Sequence, residues 1–166
     1  SVFSILEKFD EATRKQWFQF LKGELTKLNL FDKPAQIFNC DETGFADKTK
    51  GEWVIVNSSV RHQFELNGGT GKNYTTALIA VSAAGQLLPP FIIYAGKHIM
   101  SSWCTGGPDG THYAVTPKGW IDAERYEYWF EQVFIASTAH INRPLLLIVD
   151  GHTVHISLKL IELMSK

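Results

Sequence analysis

Two aspartates, Asp41 and Asp150, each follow a short apolar segment and are each followed within three residues by glycine. Taken singly, either is a turn residue, because Asp close to Gly favours tight turns. Taken together they suggest chemistry. If the two apolar segments are neighbouring strands running the same way, both carboxylates emerge at one sheet edge, about 4.8 Å apart in the pairing direction. That carboxyl edge is where open α/β sheets place their sites. Two bare carboxylates held so close repel each other, and a divalent cation relieves the repulsion. Oxygen donors with no thiolate beside them select Mg²⁺ or Mn²⁺ over zinc.

His152 and His155 follow Asp150 at once. Their three-residue spacing, with no Glu between them, is not the helical arrangement of zinc proteases, so a role orienting a carboxylate or phosphate is the better reading, with a plain structural role close behind it. Glu42, beside Asp41, has the same candidate role. The run Gly68-Gly69-Thr70-Gly71-Lys72-Asn73 looks like a phosphate loop and fails as one. Leu66 stands where the first Gly is needed, Asn73 stands where a Mg²⁺-binding hydroxyl is needed, and a strand pattern follows instead of a helix. No Ser or Cys has a nucleophile-elbow context. Arg61, Lys72 and Lys97, with His62 and His98, form a weakly basic stretch that could face a phosphate backbone, with Trp53, Tyr94 or Trp103 as stacking partners. A solvated loop face explains them equally well.

The elements that must position Asp41 and Asp150 can be read from periodicity. Residues 10–28 carry Trp17, Leu21, Leu25 and Leu28 at near-helical spacing, with Asp10 and Glu11 at the N-terminal end. Residues 36–40 form a short strand closing at Asp41, and 53–56 form another. Residues 74–83 and 87–94 read as a hairpin turning at Ala84-Gly85-Gln86, and Pro89-Pro90 assigns the later strand to an edge or a bulge. Residues 96–119 hold five Gly and two Pro and read as irregular. Asp122 caps a helix burying Tyr126, Trp129, Phe130, Val133 and Phe134. Residues 145–149 are apolar without interruption, as a strand buried on both faces requires. A last helix begins near Ser157. The strand ending at Asp150 is reached through a helical crossover, so it should run parallel to a strand already in the sheet.

The composition is that of one soluble domain: 166 residues, 45% hydrophobic and 13% aromatic. A helical lead-in over 1–34 precedes a sheet core with helices over 35–166. No apolar run reaches bilayer length, and no signal peptide is apparent, so no membrane partner is expected. Two cysteines far apart in sequence argue against a disulfide framework. The formal charge of −1 lacks the positive balance common in nucleic-acid binders. The start at Ser1 and the stop at Lys166 within a helical pattern read as an excised fragment.

In order, Trp17-Phe18-x-x-Leu21, Asn39-x-Asp41-Glu42-Thr43-Gly44, the 74–83 strand with Ala84-Gly85 and Pro89-Pro90, Gly119-Trp120 before a helix carrying Trp129, and Leu146 to Asp150-Gly151-His152-x-x-His155 resemble the DDE-superfamily transposases of the pogo/Tigger/jerky type. The resemblance implies an α/β fold with an RNase H-like mixed sheet and flanking helices, truncated at its C-terminus. It implies that Asp41 and Asp150 are the first two catalytic, metal-holding acids of a site that cuts DNA phosphodiesters with two Mg²⁺ (or Mn²⁺) ions and then joins strands. The third acid of such a site is expected a few tens of residues after Asp150, and Glu162 is too close to serve. Residues 1–166 alone are therefore expected to be inactive or nearly so. DNA, a nuclear location and an open option of a homodimer follow from the resemblance only. The alternative is a domesticated module of the same fold that binds DNA or protein without cutting. A cellular nuclease acting on RNA–DNA hybrids is a weaker one.

Overall fold

The computed structural model describes residues 10–46, 74–150 and 157–164. Helix α1, Glu11–Lys27, starts where Asp10 accepts a hydrogen bond from the Thr13 backbone N–H at 2.7 Å. Among the described residues its apolar side is uncovered: none of its residues is buried, and Phe20 is 68% exposed. The chain enters the core only after it, at fully buried Leu30.

Five strands follow: β1, Ile37–Ala46; β2, Tyr74–Ser82; β3, Phe91–Ala95; β4, His112–Thr116; and β5, Leu146–Ile148. They form one mixed sheet in the order β4-β3-β2-β1-β5. β1 pairs antiparallel with the whole of β2 from Phe38 to Ala46, β2 and β3 pair antiparallel, and β3–β4 and β1–β5 are parallel. The strand before Asp150 was expected to run parallel to a strand of the sheet, and it does so beside β1. The carboxyl ends of β1, β3, β4 and β5 therefore share one sheet edge with the amino end of β2.

Four expectations need correction. β1 does not close at Asp41 but runs on to Ala46, because β2 supplies ladder partners through Ala46↔Tyr74. A nine-residue antiparallel ladder outweighs the local turn preference of Asp-x-x-Gly. The 84–86 turn forms, with the Ser82 N–H donating to the Gln86 carbonyl at 2.9 Å. Pro89-Pro90, however, precedes β3 instead of lying within it, and β3 is no edge because β4 pairs on its far side. β4 itself lies inside the stretch read as irregular. Finally, β5 is an edge strand of half-exposed residues among the described ones, not one buried on both faces. The strand expected at 53–56 lies outside the described residues.

Helix α2, Ala123–Trp129, capped by Asp122 through the Arg125 N–H, widens into a π-helical turn over Phe130–Ile135. It buries all five expected residues. They pack on Phe38, Cys40, Leu78, Ala80, Phe91 and Ile93 of the sheet. Phe38 meets Phe134 edge-on at 5.4 Å. Each large side chain so buried contributes about 1.5–3 kcal/mol relative to exposure. Buried Gln36 donates through Nε2 to the carbonyls of Asn142 and Pro144 at 2.9 and 2.8 Å, which fixes the entry of β5 beside β1. Helix α3, Leu158–Met164, starts at Ser157, whose hydroxyl accepts from the Leu160 N–H and donates to Glu127 of α2. Its Leu160 closes the core.

Cys40 is 2% exposed whereas Cys104 is exposed. Alkylation of the native protein is therefore expected to modify Cys104 alone, with the second thiol reacting only in denaturant. Intact-mass measurement reads one adduct against two, and native labelling of Cys40 would contradict its burial.

Candidate active site

The β1–β5 register pairs Ile37 with Leu146, Phe38 with Leu147 and Asn39 with Ile148. Carried two residues on, the same offset sets Asp41 level with Asp150. The Asn39 side chain strengthens this end of the pairing by donating through Nδ2 to the Ile148 carbonyl at 3.0 Å. Asp41 and Asp150 are both exposed. One Asp41 oxygen accepts from the Glu42 backbone N–H at 2.8 Å.

Strand alternation divides the acids of β1 between faces. Phe38, Cys40 and Glu42 fall on the side that packs against α2, and Asn39 and Asp41 fall on the other. Beyond the end of β5, Asp150 lines an open cleft of about 170 Å³ together with Glu42, Gly44, Tyr74, Thr76, Trp120 and Ile121. Asp150 and Glu42 thus share this cleft, whereas Asp41 is not among its lining residues. Beneath them Cys40 Sγ lies 3.7 Å from the Tyr126 hydroxyl. Burial pushes the Cys40 thiol up to about 12, and the negative charges of Glu42, Asp41 and Asp150 add to the rise. Burial first, then the neighbouring Cys40, Glu42 and Asp150, pushes the Tyr126 phenol up as well. Both groups stay protonated at neutral pH, so the floor of the site is uncharged.

Two glycines shape the cleft wall. A Cβ on Gly44 would collide with the ring end of Tyr74, so the glycine of the Asp41-Glu42-Thr43-Gly44 element is what lets that ring cross β1. Gly119 has φ +75°, and a Cβ there would collide with the Tyr74 carbonyl. The Thr76 hydroxyl donates to the Gly119 carbonyl at 2.7 Å, and the Thr116 hydroxyl donates to the Trp120 carbonyl at 2.8 Å. Trp120 is thereby stacked on Tyr74, with ring centroids 4.6 Å apart and planes 3° from parallel. Gly44→Ala is expected to displace the Tyr74 ring and cost about 1–3 kcal/mol, as overpacking does. Chemical denaturation measures it, and an unchanged midpoint would mean the ring moves aside freely.

Of the other candidates, Lys97 is exposed just past β3, at the same sheet edge as Asp150. Tyr94 and Trp103 pack on each other at 5.1 Å, with the Tyr94 hydroxyl donating to the Trp103 carbonyl. Arg61, Lys72, His152, His155 and Trp53 lie outside the described residues. The Tyr74–Trp120 stack was not foreseen as part of a site. Its signal was the Gly119-Trp120 pair, an exposed aromatic straight after a glycine. Among the described residues, no group of three or more His, Cys, Asp or Glu is placed to hold a metal ion.

The family described as DDE superfamily endonuclease matches residues 71–166. A Cochliobolus lunatus protein named MFS-type transporter clz9 is 29% identical over 153 residues, 90% of this chain and 16% of that protein. Among the described residues no helix is long and apolar enough to cross a membrane. The mouse protein named Pogo transposable element with KRAB domain is 28% identical over 122 residues, 73% of this chain and 20% of its own length. The human protein named Pogo transposable element with ZNF domain is 27% identical over 112 residues, 67% of this chain and 8% of its own. The chain thus spans at most a fifth of the length of these relatives. No solved structure matches it. The mixed five-stranded sheet with flanking helices agrees with an RNase H-like fold, and the family match covers more than half of the sequence. The chain belongs to the DDE superfamily endonucleases and is similar to the pogo-type transposases among them.

Proposed function

We propose that this chain is part of the catalytic core of a pogo-type transposase acting on nuclear DNA, with Asp41 and Asp150 as its first two catalytic acids. The observation that supports the reading is the parallel pairing of β1 with β5, whose register, Asn39 opposite Ile148, reaches Asp41 and Asp150 when carried two residues on. The donors suit a hard divalent cation. They are carboxylate oxygens, and the one nearby sulfur, on Cys40, is buried on the core side against Tyr126. When bound, Mg²⁺ or Mn²⁺ would supply activation of a water and charge stabilisation at the leaving oxygen.

The residues of the chain account for the rest. Asp41 and Asp150 hold the reacting phosphate's surroundings fixed from two strands that the Asn39 and Gln36 hydrogen bonds tie together. Hydrolysis would form a bond from a water oxygen to phosphorus and break the phosphorus–O3′ bond, leaving a 5′-phosphate and a 3′-hydroxyl, which strand transfer would use as the next nucleophile in the same place. Glu42 lines the same cleft as Asp150. It supports a second assignment in which Glu42, not Asp41, is the partner of Asp150.

The test is cleavage of end-labelled duplex DNA by the intact protein with Mg²⁺, with Mn²⁺ and with chelator. Metal-dependent nicks leaving 3′-hydroxyl ends are expected. DNA binding with no cleavage in either metal would overturn the catalytic reading and leave a non-catalytic binding module of the same fold.

A further inference from the structure

We infer that the Tyr74–Trp120 stack is a platform for one unpaired nucleobase beside the scissile phosphate. The inference rests on the phosphodiester-cutting reading of the adjacent acids and adds the state of the DNA that the site accepts.

Three observations lead there. Trp120 is 59% exposed although Tyr74 is stacked against one face of its ring, so the residue still offers surface to a ligand. Its position is rigid. Gly119 abuts the Tyr74 carbonyl in a backbone conformation that side chains resist, and the hydroxyls of Thr76 and Thr116 hold the carbonyls of Gly119 and Trp120. A loop that merely carried a stray surface tryptophan would not need that bracing. The ring also lines the same cleft as Asp150 and Glu42. A phosphodiester seated at Asp150 brings its own base within reach of the wall, and every base has a π-face that an aromatic surface can accept.

A base paired within a duplex is stacked on both faces and cannot use such a surface. The occupant is therefore a base that has left the helix, and the unstacking cost falls where the base is already unpaired. The stack recognises no sequence, since a flat aromatic surface offers no hydrogen-bond pattern. Base-stacking residues typically change affinity by roughly tenfold or more on removal.

The experiment uses the intact protein and a DNA duplex with 2-aminopurine at a single unpaired position next to the cut site, in Ca²⁺. Quenching of 2-aminopurine and anisotropy-based affinity are read for the wild type, Trp120→Phe and Trp120→Ala. The wild type and Trp120→Phe are expected to quench the probe. Trp120→Ala is expected to lose the quenching and about tenfold in affinity for this DNA, while binding the fully paired duplex as the wild type does. Equal quenching and affinity in Trp120→Ala, with cleavage intact, would overturn this inference alone. An absence of DNA binding by the wild type would overturn it together with the phosphodiester-cutting reading.

Discussion

Asp41→Asn and Asp150→Asn in the intact protein are each expected to lower Mg²⁺-dependent DNA cleavage by at least about a thousandfold. A cation that stabilises charge at the reacting phosphate is worth several kcal/mol, and each 1.36 kcal/mol is about tenfold in rate. The substitution keeps the shape of the side chain and removes the charge that holds the cation. Both residues are exposed, so neither change should move the thermal midpoint appreciably. That pairing of lost activity with retained stability separates a catalytic role from a structural one. Glu42→Gln is the informative companion, because Glu42 lines the cleft with Asp150 while alternation sets Asp41 on the opposite side of β1. A loss of about tenfold is expected for it, the usual scale for a residue that orients a metal ligand. If Glu42→Gln abolishes cleavage and Asp41→Asn does not, the catalytic partner of Asp150 is Glu42.

The sequence was most readable where periodicity and burial agree. Tyr126, Trp129, Phe130, Val133 and Phe134 lie on one helical face, and all five are buried. The crossover rule also made the strand before Asp150 parallel to a strand of the sheet, and that strand is β1. Legibility failed where a distant partner decides the conformation. Nothing local shows that β1 continues past Asp41, because the reason is the ladder offered by β2, more than thirty residues later. β4 was hidden because its five residues stand between glycine-rich turns, and only β3 gives them a sheet to join. The run before Asp150 looked doubly buried because an uninterrupted apolar segment carries no mark of which face is covered. The split of Asp41 and Glu42 between faces followed from strand alternation, yet reading Asp41 as a strand terminus concealed it.

Trp129→Ala is expected to be the most destabilising single change, at about 3–5 kcal/mol. Trp129 is fully buried at the centre of the aromatic cluster, 5.3 Å from Tyr126 and 5.8 Å from Phe134 between ring centroids. Its removal leaves a cavity between α2 and the sheet that the surrounding rings cannot collapse to fill. Trp129→Phe should cost much less. The indole Nε1 is buried with no hydrogen-bond partner among the described residues, so the tryptophan already bears a desolvation penalty that phenylalanine escapes. That gain partly offsets the smaller ring, and a cost of about 1–2 kcal/mol is the expected balance. Urea unfolding of the two variants reads the difference. If Phe and Ala cost the same, the indole nitrogen has a partner that holds it, and the site's value lies in that hydrogen bond and not in volume. The consequence reaches the candidate site, because Tyr126 lies against Trp129 on one side and holds the Cys40 thiol from the other. A Trp129→Ala protein that still folds should therefore expose Cys40 to alkylation under native conditions, and should cut DNA poorly even with both aspartates in place.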